Sequence, residues 1–260
     1  MESSDAYKPD QIAKIAETVG VTKANSAFLK LITLGILAGA FIAFGAMFYT
    51  QTITGSEFGY GPTKLLGGVT FSLGLILVVV AGAELFTGNN LIVIAWADKK
   101  VTTQQLLRNW LIVYVGNFIG AAMTALLVDL SGILASNQGA VGQTAINIAL
   151  AKTSLEPLQA FVRGILCNAL VCLAVWLCFS ARRVAGKILA IIFPISAFVA
   201  LGFEHSVANM YFIPLAMMQS EIQITLFDLL ANLTWVTLGN VVGGSVFVAL
   251  VYWLCYLRDD

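Results

Sequence analysis

The chain is 260 residues long, 59% hydrophobic and 11% charged, with a formal net charge of zero and a mean hydropathy of +0.88. A soluble domain cannot hide that much apolar surface, whereas uncharged runs of about 20 residues match a hydrocarbon core about 30 Å thick, so a polytopic protein of the lipid bilayer is expected. No basic patch is visible, which excludes nucleic acid as a partner.

Residues 1–26 are polar and lack the apolar stretch of a cleavable signal, so the first span is expected to anchor the chain. Asp10 is placed to cap a short helix whose stripe of Ile12, Ile15, Ala16 and Val19 opposes Lys14 and Glu17. Such a helix suits the membrane interface, although a lead-in without a role fits the sequence equally well. Continuous spans are predicted over about Leu31–Tyr49, Asn109–Val128, Pro157–Ser180 and Leu229–Tyr256.

Between them lie two longer runs. Leu65–Ala97 has Glu84 as its only charge, and Ile188–Ser220 contains Glu204 beside the chain's one histidine, His205. A matching motif interrupts each run: Gly82-Ala83-Glu84 with Asn89, and Gly202-Phe203-Glu204 with Asn209. The part after the first glutamate, Leu85–Ala97, has 13 residues and is too short to cross alone, so each run is read as one discontinuous helix. The expected fold is all-α with six spans, the second and fifth broken. Cys167, Cys172, Cys178 and Cys255 fall in spans without metal-ligand spacing and read as apolar filling. Glycines such as Gly74, Gly120 and Gly239 recur at helical spacing and read as helix contacts.

Charge sets the expected orientation. The links after the second and fourth spans carry Lys99, Lys100 and Arg108, then Arg182, Arg183 and Lys187, while the opposite links hold Lys64 and Lys152, so both termini are expected in the cytoplasm. Gly35-Ile36-Leu37 recurs as Gly164-Ile165-Leu166 and Gly116-Asn117 as Gly239-Asn240, at offsets of 129 and 123 residues, with 120 between the two central motifs. Three spans per unit is an odd number, so the second unit is inverted, and paired broken helices place a substrate route where the units meet. The expected organisation is a cytoplasmic amphipathic segment over 1–26 and one channel domain over 27–260, with repeat units at about 27–130 and 155–257.

Breaking a helix in lipid frees backbone N–H and C=O groups, tolerable only beside protein or a wet cavity, so the breaks argue for a pore. The second half-helices begin near Asn89 and Ser206, where amide donors and partial positive charge suit a small anion. His205 either donates a hydrogen bond to that anion or passes it a proton. Thr87 offers a hydroxyl to substrate or to His205, or caps its own turn. Glu84 and Glu204 are expected to accept hydrogen bonds from freed amides and pin the breaks, with Asn89 and Asn209 in structural roles beside them. Asn168 and Asn240 are left to the pore. Lys152 either draws anions into a vestibule or anchors the chain at the interface.

At these residues the chain resembles the formate/nitrite transporter family, and within it the formate channels, over nearly its whole length. The pieces that carry the resemblance are Phe71-Ser72-Leu73-Gly74-Leu75, Ala83-Glu84-Leu85-Phe86-Thr87-Gly88-Asn89, Asn168 with Cys172-Leu173-Ala174-Val175-Trp176, and Phe203-Glu204-His205-Ser206-Val207-Ala208-Asn209-Met210. The resemblance implies a homopentamer of six-span protomers in the bacterial cytoplasmic membrane, each protomer with its own pore, no cofactor, and an aquaporin-like fold that lacks Asn-Pro-Ala motifs. It implies that Phe71, Leu75 and Phe198 form the constriction on the cytoplasmic side, where the N-terminus is expected. Leu85 and Phe86 would close the other side. Thr87 and His205 would contact substrate between them, with Asn168 and Asn240 nearby and Lys152 supplying vestibule charge. The N-terminal helix is similar to a segment that covers the cytoplasmic mouth as pH falls.

One departure concerns the substrate. Gly88-Asn89 follows Thr87 where the compared formate channels carry serine, which looks more like nitrite or hydrosulfide members. The expected function is a channel for small monovalent anions, formate preferred, with nitrite or hydrosulfide as the alternative. A neutral-solute facilitator of the aquaporin kind is the rival class. An enzyme is disfavoured, since no second histidine, metal-ligand cluster or nucleophile–base pair accompanies His205.

Overall fold

The computed structural model describes residues 6–219 and 224–258. Residues 1–5 of the expected N-terminal segment and Ser220, the expected end of the fifth run, lie outside the described residues. Helix α1 (Pro9–Ala24) begins on a proline, whose missing N–H is harmless at a helix start. Lys8, not Asp10, is therefore the residue before the first turn, and its N–H donates to Gln11 Oε1 at 3.0 Å. The buried face of α1 is Ile12, Ala13, Ala16, Glu17, Gly20 and Ala24. It lies against protein, with Gly20 on Ile92 and Ala95, so the expected interfacial helix is a docked one. Glu17, expected on the polar side, is buried because it faces Lys100 at 2.6 Å.

The remaining helices follow in order. They are α2 (Phe28–Ile53), α3 (Tyr60–Ile76) with a π-helical continuation Leu77–Gly82, a 3-10 turn Gly88–Ile92, and α4 (Val93–Ala97). Then come α5 (Thr103–Leu130), α6 (Ala140–Thr153), α7 (Pro157–Ser180), α8 (Val184–Ala200), α9 (Ser206–Met217), α10 (Leu226–Gly244) and, after a π-helical stretch Ser245–Leu250, α11 (Val251–Tyr256). Capping boxes fix two starts, Thr102 with Gln105 for α5 and Thr225 with Asp228 for α10.

Among the described residues, five stretches are long and apolar enough to cross a membrane: Phe28–Ile53, Tyr60–Gly82, Thr103–Leu130, Pro157–Ser180 and Leu226–Tyr256. Gly88–Ala97, α8 and α9 are apolar but shorter. The protein is a multi-pass membrane protein. Helix α2 packs on α5, α7 on α10 and α3 on α8. A Cβ on Gly120 would collide with the carbonyl oxygen of Ile36, and one on Gly243 with that of Ile165. Lipid offers helices no hydrophobic reason to associate, so this close backbone approach is what lets them pack. Helix α9 is buried at every position from Ser206 to Ala216, which explains why it is apolar all round rather than on one stripe.

Candidate functional site

The two glutamate motifs sit where the backbone leaves the helix, between Gly82 and Gly88 and between Ala200 and Ser206. Gly82 and Gly202 turn there at φ of +85° and +70°, a region that favours glycine. The groups freed by the first interruption are met by Asn117, whose Nδ2 donates to the carbonyls of Gly35 (2.8 Å) and Glu84 (2.9 Å) while its Oδ1 accepts from Phe86 N–H (2.9 Å). Asn240 repeats the arrangement, donating to Gly164 (2.8 Å) and Glu204 (2.9 Å) and accepting from Ser206 N–H (2.9 Å). This corrects two expectations. The glutamate side chains do not hold the freed amides, because the break presents carbonyls as well as N–H groups, and a carboxamide both donates and accepts where a carboxylate only accepts. Asn240, expected at the pore, has its amide fully used.

The glutamates face lysines instead. Glu84 Oε2 accepts from Lys23 Nζ (3.0 Å) and Asn89 Nδ2 (2.7 Å), and Asn89 continues to Asn109 Oδ1 (2.9 Å). Glu204 Oε1 accepts from Lys152 Nζ (3.0 Å), its Oε2 from Asn209 Nδ2 (2.7 Å), and Asn209 continues to Asn232 Oδ1 (2.8 Å). Asn109 and Asn232 close each set by donating to the backbone carbonyls of Lys23 (3.0 Å) and Lys152 (2.9 Å). Sequence reasoning missed Lys23, Asn109 and Asn232. The signal was present: Lys23 precedes Lys152 by 129 residues, the offset already seen between Gly35 and Gly164.

Between the two sets, Thr87 Oγ1 and His205 Nε2 are 2.9 Å apart, both buried. His205 is also the residue that caps α9, where its Nδ1 accepts from Ala208 N–H at 3.1 Å. An Nδ1 that accepts carries no proton, so the neutral ring holds its hydrogen on Nε2 and donates it to Thr87. The threonine hydroxyl hydrogen is then left over for a passing acceptor. Asn168 stands behind Thr87, with Nδ2 directed at the carbonyls of Asn240 (2.7 Å) and Thr87 (3.2 Å) and at Asn90 Oδ1 (2.8 Å). It lines neither of the cavities described next.

Two cavities approach this pair. One, of about 350 Å³, is lined by Lys23, Lys30, Leu75, Glu84, Leu85 and Lys187 and lies under α1, whose Ala16 and Gly20 also border it. The other, of about 290 Å³, is lined by Lys64, Phe71, Lys152, Arg163, Phe198 and His205. The rings of Phe71 and Phe198 meet edge to face at 5.6 Å, and Phe198 stacks on the His205 ring at 5.9 Å. The expected sides are thus exchanged for Phe71, Phe198 and Leu85, while Leu75 stays on the α1 side where it was expected. Phe71 and Phe198 border the cavity away from α1, and Leu75 and Leu85 border the one beneath it. The reason is the direction of α3, which carries Tyr60 and Lys64 at the far cavity and whose π-helical continuation ends at Gly82 in the near one, so Leu75 lies one turn nearer α1 than Phe71. Phe86 borders neither cavity and packs on Tyr114 (4.9 Å) and Trp110 (6.1 Å).

The description "Formate/nitrite transporter" belongs to a family model that matches residues 10–254. The chain belongs to the formate/nitrite transporter family. Among its relatives in that family, the formate channel FocA of Escherichia coli strain K12 is 40% identical over 275 residues, covering 98% of this chain and 96% of its own length. A probable formate transporter of Methanothermobacter thermautotrophicus is 41% identical over 276 residues, covering 98% and 99%. Among solved structures, a pentameric formate channel with formate bound superposes with a TM-score of 0.83 at 41% identity, over 89% of this chain and 98% of that one.

Proposed function

We propose that this family member is a channel for small monovalent anions, formate first, in a bacterial cytoplasmic membrane. The observation that carries the reading is the Thr87–His205 hydrogen bond, with His205 lining one cavity beside Phe71 and Phe198, and Gly88, next to Thr87, lining the other beside Leu75 and Leu85. An anion stripped of water at an apolar ring needs a replacement donor inside, and the His205 Nε2–H and the Thr87 hydroxyl are donors at that point. The relative named as a formate channel and the neighbour solved with formate bound support formate over other anions.

On this reading the chain makes six crossings in a 3+3 inverted repeat of aquaporin-like type, the second and fifth being the interrupted ones. Matched bonds at Asn117 and Asn240, and at Lys23 and Lys152, support the repeat. They also support α1 as the counterpart of α6, which would start the units before residues 27 and 155 and join α1 to the channel domain. Positive residues on the α1 face support both termini being in the cytoplasm. Likeness to the pentameric neighbour supports a homopentamer with one path per protomer. His205 serves as a neutral donor, since an imidazolium would have to surrender the Ala208 N–H to Nδ1.

Purified protein in proteoliposomes tests this directly. Formate should equilibrate rapidly, and native mass spectrometry should give about 139 kDa, five copies of the 27.8 kDa chain. Fast water flux with no passage of formate, nitrite or hydrosulfide would instead assign a neutral-solute facilitator.

A further inference from the structure

Each cavity holds a lysine that is already neutralised. Lys23 lies 3.0 Å from Glu84 and Lys152 lies 3.0 Å from Glu204. An ion pair has no net charge, and its field falls off too quickly to draw an anion from the aqueous phase. Other cations border the same cavities: Lys30 and Lys187 beside Lys23, and Lys64 and Arg163 beside Lys152. None of these four forms an ion pair among the described residues. Lys64 Nζ approaches the Tyr49 hydroxyl at 3.2 Å and the faces of Tyr49 and Tyr60, and Arg163 reaches the Gly202 carbonyl at 3.5 Å.

Their placement recurs between the two halves without being a copy. Lys30 and Arg163 stand in the first two turns of α2 and α7, and Lys64 and Lys187 in those of α3 and α8. Adding the 129-residue offset to Lys30 gives Gln159, a turn short of Arg163, and adding 120 to Lys64 gives Val184, short of Lys187. One mouth therefore takes its cations from α2 and α8 and the other from their counterparts α7 and α3, set at a different register. The start of a helix is the wrong end for a cation, since the macrodipole is positive there. Four cations at helix starts, all bordering cavities, call for a reason other than helix stability. Membrane anchoring does not supply it, because an anchoring lysine directs its head to the lipid boundary and not into a cavity.

We propose that Lys64 with Arg163 at one mouth, and Lys30 with Lys187 at the other, are the charges that gather small anions. The paired Lys23 and Lys152 act further in, on anions already captured. This inference rests on the channel reading and adds the residues that set its capture rate.

The test is formate flux through the full chain in proteoliposomes at about 10 mM and about 300 mM ionic strength, set with potassium gluconate, a range over which the screening length shrinks several-fold. One unit charge about 7 Å from an anion's path in water changes its local concentration roughly three-fold, so K64Q/R163Q should lower low-salt flux about five- to ten-fold. At high salt it should come within about two-fold of the wild type, because exposed charges are then screened. K30Q/K187Q should behave alike, the charge-conserving K64R/R163K should match the wild type, and K99Q, outside both cavities, should change nothing. Equal flux at low salt, an equal loss at both salts, or a loss in K64R/R163K as large as in the glutamine pair would overturn the inference. Those outcomes leave the channel reading intact, whereas a wild type that passes neither formate, nitrite nor hydrosulfide removes that reading and this inference with it.

Discussion

At the scale of single residues, the site turns on which atom holds a proton. Thr87 and His205 share one hydrogen bond, and Ala208 fixes its polarity by occupying Nδ1. Thr87→Val keeps the shape and removes the hydroxyl, leaving the buried Nε2–H unpartnered. A net hydrogen bond of about 1 to 1.5 kcal/mol corresponds to a formate flux slower by roughly ten-fold, and a rate unchanged within about two-fold would remove Thr87 from the path. His205→Asn is the sharper experiment. Asparagine is a good helix cap and still offers an N–H donor, so a neutral-donor role predicts retained flux, within about ten-fold, and a pH profile of unaltered shape. Collapse of the pH dependence in that variant would make His205 a titrating carrier instead.

At the scale of elements, docking α1 buries the Glu17 carboxyl beside Lys100. Burial pushes the Glu17 carboxyl above the ordinary carboxylate value, against the pull of Lys100, while hydrogen bonding with Glu17 holds Asp98 below its own. A carboxyl raised in the docked state binds its proton more tightly there than in the released one. Its stabilisation is therefore complete below the ordinary value of 4.5 and lost as pH rises through the raised value. Asp98 has the opposite sign, and its contribution fades only as pH falls through its depressed value. Acidification from neutrality should thus tighten α1, and its amides, corrected for intrinsic rates, should exchange more slowly at about pH 5 than at about pH 7. Glu17→Gln should abolish that trend; a trend that persists would assign it elsewhere. The paired helices make a different demand. Gly120→Ala places a Cβ against the Ile36 carbonyl, forcing α2 from α5, and should destabilise the protein by about 1 to 3 kcal/mol in thermal unfolding in detergent. A melting temperature equal to the wild type would mean that the crossing is looser than its backbone contacts indicate.

At the scale of the whole molecule, the described residues near the two ends, Tyr7 and Trp253, lie on the α1 face. Tyr7 N–H donates to the Ser180 carbonyl at 3.1 Å, and Trp253 Nε1 donates to Asp98 at 3.2 Å. Protease sites added at the two termini should therefore be cut from the same side in sealed vesicles, and cleavage from opposite sides would contradict this topology. Much of this architecture was legible in the chain. Hydropathy alone separated the continuous spans, because lipid imposes a length and a polarity that composition must satisfy, and the two glycine-glutamate motifs marked where the backbone leaves the helix. Repetition at fixed offsets tied Asn117 to Asn240 before any contact was known. What the sequence could not decide was the partner of each polar group. Glu84 and Glu204 sit beside freed amides in sequence, yet they bind lysines brought from α1 and α6, and the Phe86 and Ser206 N–H groups go to asparagines 31 and 34 residues away. The sides of Phe71 and Leu75 were likewise settled by the course of α3 between two cavities. Periodicity and apolar length are properties of a segment and can be read from it, whereas hydrogen-bond partners and facing surfaces depend on how segments are brought together, which only the packed helices specify.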